Sequence, residues 1–244
     1  MDLAPGAARR MRWREMRDEI MKLALQTAAT VVIGLLAFGL LLFLPAWTFN
    51  YWRAWVFIVV FALSTNIPAL YLALKNPAAL RRRMHAGPGA ESRMVQKIII
   101  TIAFLSLPGV MVFSAFDYRF GWSPVPDAIS IVGDALVAIG LVLSMVVVIQ
   151  NEYAAANVTV ETGQQVISTG FYGVVRHPMY SFVLILMVGI PLALGSWWGL
   201  LVLVPGVIVL AFRIHDEEQL LMQELTGYSD YTHRVHYRLL PYVW

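Results

Sequence analysis

Arg213 and Glu217 stand four residues apart where a long apolar run gives way to polar sequence, so on a helix their side chains share one face. An ionisable group at that place is costly unless it meets a cavity, a ligand or a partner. Arginine's planar fork suits a carboxylate or a phosphate. An ordinary helix-end ion pair would use the same two residues. A second group lies upstream, in Gly170-Phe171-Tyr172-Gly173-Val174-Val175-Arg176-His177-Pro178-Met179-Tyr180. Its two glycines and its proline imply a tight, non-helical loop. His177 precedes a proline and is pushed out of helical geometry, while Pro178 can open the next helix at its first position. Taken alone, His177 also fits a loop residue satisfied by backbone, and Arg176 a headgroup anchor.

Other chemistries lack their residues. With no cysteine in the chain, a disulfide framework, thiolate metal sites and cysteine nucleophiles are excluded. No Gly-x-Gly-x-x-Gly, P-loop or Gly-x-Ser-x-Gly stretch occurs, and Gly195 with Gly199 reads as a tight hairpin turn. His233 and His236 are three apart but have no further ligand spacing, so no metal site is expected. Tyr228, Tyr231 and Tyr237 read as packing or interface anchors.

The elements that must position these residues are membrane helices. Of 244 residues, 59% are hydrophobic and 14% charged, and the mean hydropathy is +0.68, more apolar than soluble domains usually are. Uncharged runs of the roughly 20 residues a span requires begin with Leu23–Trp52, which follows an arginine-rich start. That run is too long for a signal peptide, and Phe43-Leu44-Pro45-Ala46-Trp47 is a poor cleavage site. Trp47, Tyr51 and Trp52 are expected in the interface belt. Further runs are Ala54–Leu74, with Asn66 expected to pack between helices, then Ile98–Phe116 and Ala128–Ile149. Lys75–Lys97, with Arg81-Arg82-Arg83 and Gly87-Pro88-Gly89, reads as a surface loop.

Ser181–Phe212 holds 32 residues without a charge, divided by Gly195-Ser196. Each arm of about 15 residues reaches about 22 Å against about 30 Å of hydrocarbon, so a hairpin that barely crosses is expected, with Trp197 and Trp198 near the far interface. A hairpin returns the chain to its starting face and so gathers Gln150, Arg176, His177, Arg213, Glu217 and Glu218. The expected fold is all-α and polytopic: four full spans plus a C-terminal helical hairpin with polar segments at its base. Residues 1–146 and 147–244 form one continuous membrane domain in this reading.

In this layout sixteen of the eighteen Lys and Arg residues fall on one side, leaving Arg53 and Arg119 opposite. That asymmetry places both termini and the polar cluster in the cytoplasm. The membrane would be the inner or plasma membrane of a bacterium, or the endoplasmic reticulum of a eukaryote. The basic residues flank apolar runs, which fits a membrane surface and excludes a nucleic-acid partner.

The C-terminal region, roughly Val147–Trp244, resembles the isoprenylcysteine carboxyl methyltransferases and their bacterial relatives, which include phospholipid methyltransferases. The likeness is carried by Val148-Ile149-Gln150-Asn151-Glu152, Gly170-Phe171-Tyr172, Arg176-His177-Pro178-Met179-Tyr180, Asp216-Glu217-Glu218, Tyr228-Ser229-Asp230-Tyr231 and Leu240-Pro241, in that order. It implies a membrane-embedded transferase using S-adenosylmethionine. By motif, cofactor contacts would fall on Gln150, on Gln164, Gln165, Val166 and Ile167, on Tyr172, on His177, Pro178, Met179 and Tyr180, and on Glu217. Arg213 would face the methyl acceptor.

Residue chemistry agrees with this expectation. A carboxylate that attacks a sulfonium methyl is already ionised and needs alignment in place of a general base, and Arg213 could clamp it through paired hydrogen bonds. The acceptor would be lipophilic and reach the site sideways from the bilayer, most naturally as a prenylated cysteine. Three alternatives stay open: a phospholipid N-methyltransferase, an NADPH-dependent sterol or steroid reductase of similar C-terminal architecture, and a non-enzymatic membrane protein or transporter.

Overall fold

The computed structural model describes residues 21, 29–75, 94–151, 153, 160 and 163–244. The arginine-rich start and the stretch holding Arg81-Arg82-Arg83 and Gly87-Pro88-Gly89 lie outside them. The described helices are α1 (Ala29–Ala46), α2 (Trp52–Lys75), α3 (Met94–Phe120), α4 (Asp127–Gln150), a 3-10 turn (Gly170–Gly173), α5 (Pro178–Ala193), α6 (Trp198–Glu224) and α7 (Tyr228–Arg234). Five of them, α1 to α4 and α6, are long and apolar enough to cross a membrane, and α5 is a shorter apolar helix. The chain is an all-helical, multi-pass membrane protein.

It divides into two compact units, Met1–Leu40 and Leu41–Trp244. In the first, the α1 residues expose Val32, Ile33, Leu36 and Leu40, side chains suited to lipid and not to water. Everything that follows concerns the second unit.

Its tightest joint is α4 on α5. A Cβ on Gly140 would lie 2.8 Å from the Leu186 amide nitrogen, and one on Gly189 would lie 2.8 Å from that of Val137. These two glycines let the backbones touch, which is how membrane helices gain packing when hydrophobicity cannot separate protein from lipid. The outer helix faces leave Leu63, Ile67, Ile131 and Val204 exposed.

The hairpin turns at Gly195, whose φ of +76° suits a residue without a Cβ. With 16 residues, α5 is about 24 Å long, short of about 30 Å of hydrocarbon. Ala193, Leu194 and Ser196 at its tip are fully buried, because a polar clasp covers them. Tyr51 Oη donates to the Leu194 carbonyl at 2.5 Å. The Asp117 carboxylate accepts from the hydroxyls of Ser123 and Ser196. Arg53 Nη2 donates to the Val125 carbonyl at 2.6 Å and to Asp127 Oδ1 at 2.7 Å.

Two expectations change here. Tyr51 is buried with its phenol spent on the hairpin tip, while Trp47 and Trp52 stay exposed as belt residues do. Asn66 does not pack between helices: it is exposed, and Nδ2 donates to the Ala62 carbonyl of its own helix at 2.8 Å. An amide on a lipid-facing surface satisfies itself along the helix when no neighbour can. A third difference matters for the site. The Lys75–Lys97 stretch ends earlier than its polarity suggests, since α3 begins at Met94 and its first turn carries a fully buried Gln96.

Candidate functional site

At the end opposite the clasp, the base of the hairpin is tied to the C-terminal tail. His177 bends the chain and Pro178 opens α5, as the Arg-His-Pro spacing predicts. The amides of Arg176 and His177 donate to the carbonyls of Tyr237 and Arg238, each at 2.9 Å. Ser181 Oγ donates to the Leu239 carbonyl at 2.6 Å. Tyr231 Oη donates to the Tyr172 carbonyl at 2.7 Å, joining α7 to the 3-10 turn.

Glu218 is the anchor of this end. It is 6% exposed, and its Oε1 lies 2.8 Å from Arg176 Nε and 3.2 Å from His177 Nε2. Its Oε2 accepts from Arg238 Nε at 2.8 Å. Three basic groups around one carboxylate are the arrangement that makes a buried charge tolerable. A carboxylate only accepts, so the bond to Glu218 puts a proton on His177 Nε2. His177 Nδ1 lies 3.9 Å from Glu217 Oε1.

Residues at this base line two cavities. The first encloses about 790 Å³ including its open mouth and is lined mainly by polar and aromatic side chains. Gln164, Gln165, Val166, Ile167, Tyr172, His177, Met179, Tyr180 and Glu217 all line it, as do Asn151, Tyr228 and Tyr231. Two sequence candidates stand elsewhere. Pro178 serves as the first residue of α5, and Gln150 caps the 3-10 turn, its Oε1 accepting from the Phe171 amide at 3.1 Å. Burial pushes the Tyr172 phenol up to about 12, and burial likewise raises those of Tyr228 and Tyr231. The tyrosine wall is therefore uncharged at neutral pH.

The second cavity lies between α3, α5 and α6. It too encloses about 790 Å³ with its opening, and its walls are almost wholly apolar: Ala103, Leu107, Val110, Val183, Met187 and Leu210 are among them. The charged group that lines it is Arg213, itself 5% exposed.

Between the cavities runs one chain of hydrogen bonds. Arg213 Nε donates to Tyr180 Oη at 2.7 Å, and Tyr180 Oη donates to Glu217 Oε2 at 2.7 Å. Arg213 Nη1 donates to Gln96 Oε1 at 2.7 Å, and the Gln96 amide nitrogen donates to the Asp216 carboxylate. Arg213 and Glu217 thus share a face as their spacing predicts, but Tyr180 bridges them. Gln96, Asn151, Asp216 and Arg238 also belong to the site, and sequence reasoning gave none of them a role in it. Among the described residues no group of three or more His, Cys, Asp or Glu gathers to hold a metal.

The fold and site define a multi-pass membrane protein in which a residue of a polar cavity, Tyr180, is hydrogen-bonded to a residue of an apolar one, Arg213. Two likenesses to known proteins bear on it. The family model for phospholipid methyltransferases matches residues 128–229, a stretch holding Tyr172, His177, Tyr180, Arg213, Glu217 and Glu218. A Delta(14)-sterol reductase of Mus musculus is 38% identical over 90 residues, 34% of this chain and 21% of that protein. The chain therefore spans about a fifth of the length of that curated relative. Residues 128–229 are similar to a membrane methyltransferase domain.

Proposed function

We propose that the protein is an integral membrane methyltransferase that uses S-adenosylmethionine to methylate a lipophilic carboxylate, such as that of a prenylated cysteine. The observation that carries this reading is the pair of cavities joined by the Tyr180–Arg213 hydrogen bond: one suits a polar cofactor, the other a lipid tail whose anionic head ends at a guanidinium.

The residues of the first cavity fit the cofactor by their chemistry. Glu217 offers a carboxylate to the α-ammonium of its methionyl part, with His177 Nδ1 beside it. The side-chain amides of Asn151 and Gln164 suit hydroxyl groups, and the uncharged tyrosines suit an adenine ring. When bound, S-adenosylmethionine supplies an electrophilic methyl on a sulfonium. Arg213 would hold the acceptor carboxylate, and Tyr180 fixes both Arg213 and Glu217. A carboxylate held at Arg213 would be the nucleophile for that methyl group, already ionised. No proton moves, so no general base is required. Burial of Arg213 excludes water that would screen its charge.

The acceptor diffuses in the bilayer and the cofactor comes from the cytoplasm, the side on which the basic residues concentrate. A phospholipid amine is the nearest alternative acceptor, and Arg213 at the head of the cavity disfavours a cation there.

A reductase is the second reading, favoured by the likeness to the sterol reductase. Against it, the sequence from Phe120 to Val175 carries no Lys or Arg to meet a dinucleotide's phosphates, and Arg176, which lines the first cavity, has its Nε 2.8 Å from Glu218. Thermal stabilisation in detergent separates the two: S-adenosylmethionine raises the melting temperature and NADPH does not. The reverse result would replace the methyltransferase by the reductase.

A further inference from the structure

Gln96 lies outside residues 128–229, on the first turn of α3, and is fully buried. Its two neighbours fix its amide without ambiguity. Arg213 can only donate, so Oε1 faces Arg213 and Nε2 faces Asp216. The guanidinium is planar, and bonds at two of its nitrogens, Nε to Tyr180 and Nη1 to Gln96, fix the plane and its rotation within that plane. Tyr180 supplies one of these bonds from α5 and Gln96 the other from α3, the two helices that wall the apolar cavity beside α6.

A neutral amide also suits the task electrically. It holds a cation through a carbonyl dipole and leaves the net charge of Arg213 in place, where a carboxylate at the same position would cancel it.

We propose that Gln96 is a positioning residue for Arg213 that sets the preference of the apolar cavity for an anionic head over a neutral one. This rests on the reading of Arg213 as the acceptor contact. The alternative is a Gln96 that only joins α3 to α6, and such a residue affects every ligand of the cavity alike.

The test uses the full chain, purified in detergent, with N-acetyl-S-farnesylcysteine and its uncharged carboxamide as probes. Affinity for each is measured beside calorimetric affinity for S-adenosylmethionine. Wild type favours the carboxylate. Gln96→Leu shrinks the carboxylate-to-carboxamide preference about tenfold while cofactor affinity stays within about twofold. Gln96→Glu shrinks it further by placing a negative charge against Arg213, and it carries the test if Gln96→Leu does not fold. An unchanged preference, or equal weakening of both probes, overturns the proposal. Arg213→Gln separates the two layers. If it abolishes the preference and the Gln96 variants do not, the inference about Gln96 falls and the reading of Arg213 stands. If Arg213→Gln leaves the preference intact, both fall.

Discussion

The Tyr180 hydroxyl accepts from Arg213 Nε and donates to Glu217 Oε2, both at 2.7 Å, so one phenol joins the two charged groups that the sequence places four residues apart. The tyrosine is thus the hinge of the site, in contact with the polar cavity on one side and with the arginine of the apolar cavity on the other.

Removing that hydroxyl is the first test. Tyr180→Phe keeps the ring and removes the hydroxyl that Arg213 Nε and Glu217 Oε2 both bond. A hydrogen bond to a charged group is worth about 1.5–3 kcal/mol, so the methyl-transfer rate should fall at least about tenfold. Single-turnover kinetics at saturating cofactor check it, and an unchanged rate would remove Tyr180 from the site.

Glu217 should act on the cofactor more than on the fold. Glu217→Gln retains an oxygen for the Tyr180 proton but loses the charge proposed to meet the α-ammonium. Calorimetry should show S-adenosylmethionine affinity lowered about ten- to a hundredfold, with a melting temperature close to wild type.

Glu218 should behave in the opposite way. Glu218→Ala leaves Arg176, His177 and Arg238 buried or half-buried around a missing carboxylate, a loss of about 3–5 kcal/mol for a broken buried pair. The melting temperature in detergent should fall by many degrees before any ligand is added.

Stability should also fall at high pH. Burial raises the Tyr172 phenol to about 12 and raises those of Tyr228 and Tyr231. Folding therefore keeps protons that the unfolded chain releases above about pH 10. Where the native state binds more protons, stability declines as pH rises. Thermal melts between about pH 9 and 12 should show the decline beginning near 10, and Tyr172→Phe should lessen it.

Much of this architecture is legible in the sequence. The uncharged runs mark the helices, Gly195-Ser196 marks the hairpin turn, and the Arg-His-Pro string marks the bend that opens α5. What escapes it is set by packing between distant segments. Gln96 sits among polar residues that read as a loop, and only the seating of α3 against α6 buries it next to Arg213. Tyr51 and Arg53 look like interface residues because nothing local indicates that the hairpin tip will stop beneath them. Gln150 lies at the right end of α4 but caps the 3-10 turn, since the chain folds back to place the Phe171 amide within its reach. Glu218 follows Glu217 directly in sequence, yet one faces the cavity and the other the three basic groups, a division that the helix phase alone does not reveal.

Transfer of a labelled methyl group from S-adenosylmethionine to N-acetyl-S-farnesylcysteine by the purified protein tests the central claim most directly. The account predicts organic-soluble label that alkali releases as methanol, the behaviour of a methyl ester, and its loss in Arg213→Ala. Failure of the folded protein to transfer label, with NADPH and not S-adenosylmethionine stabilising it, would contradict the account.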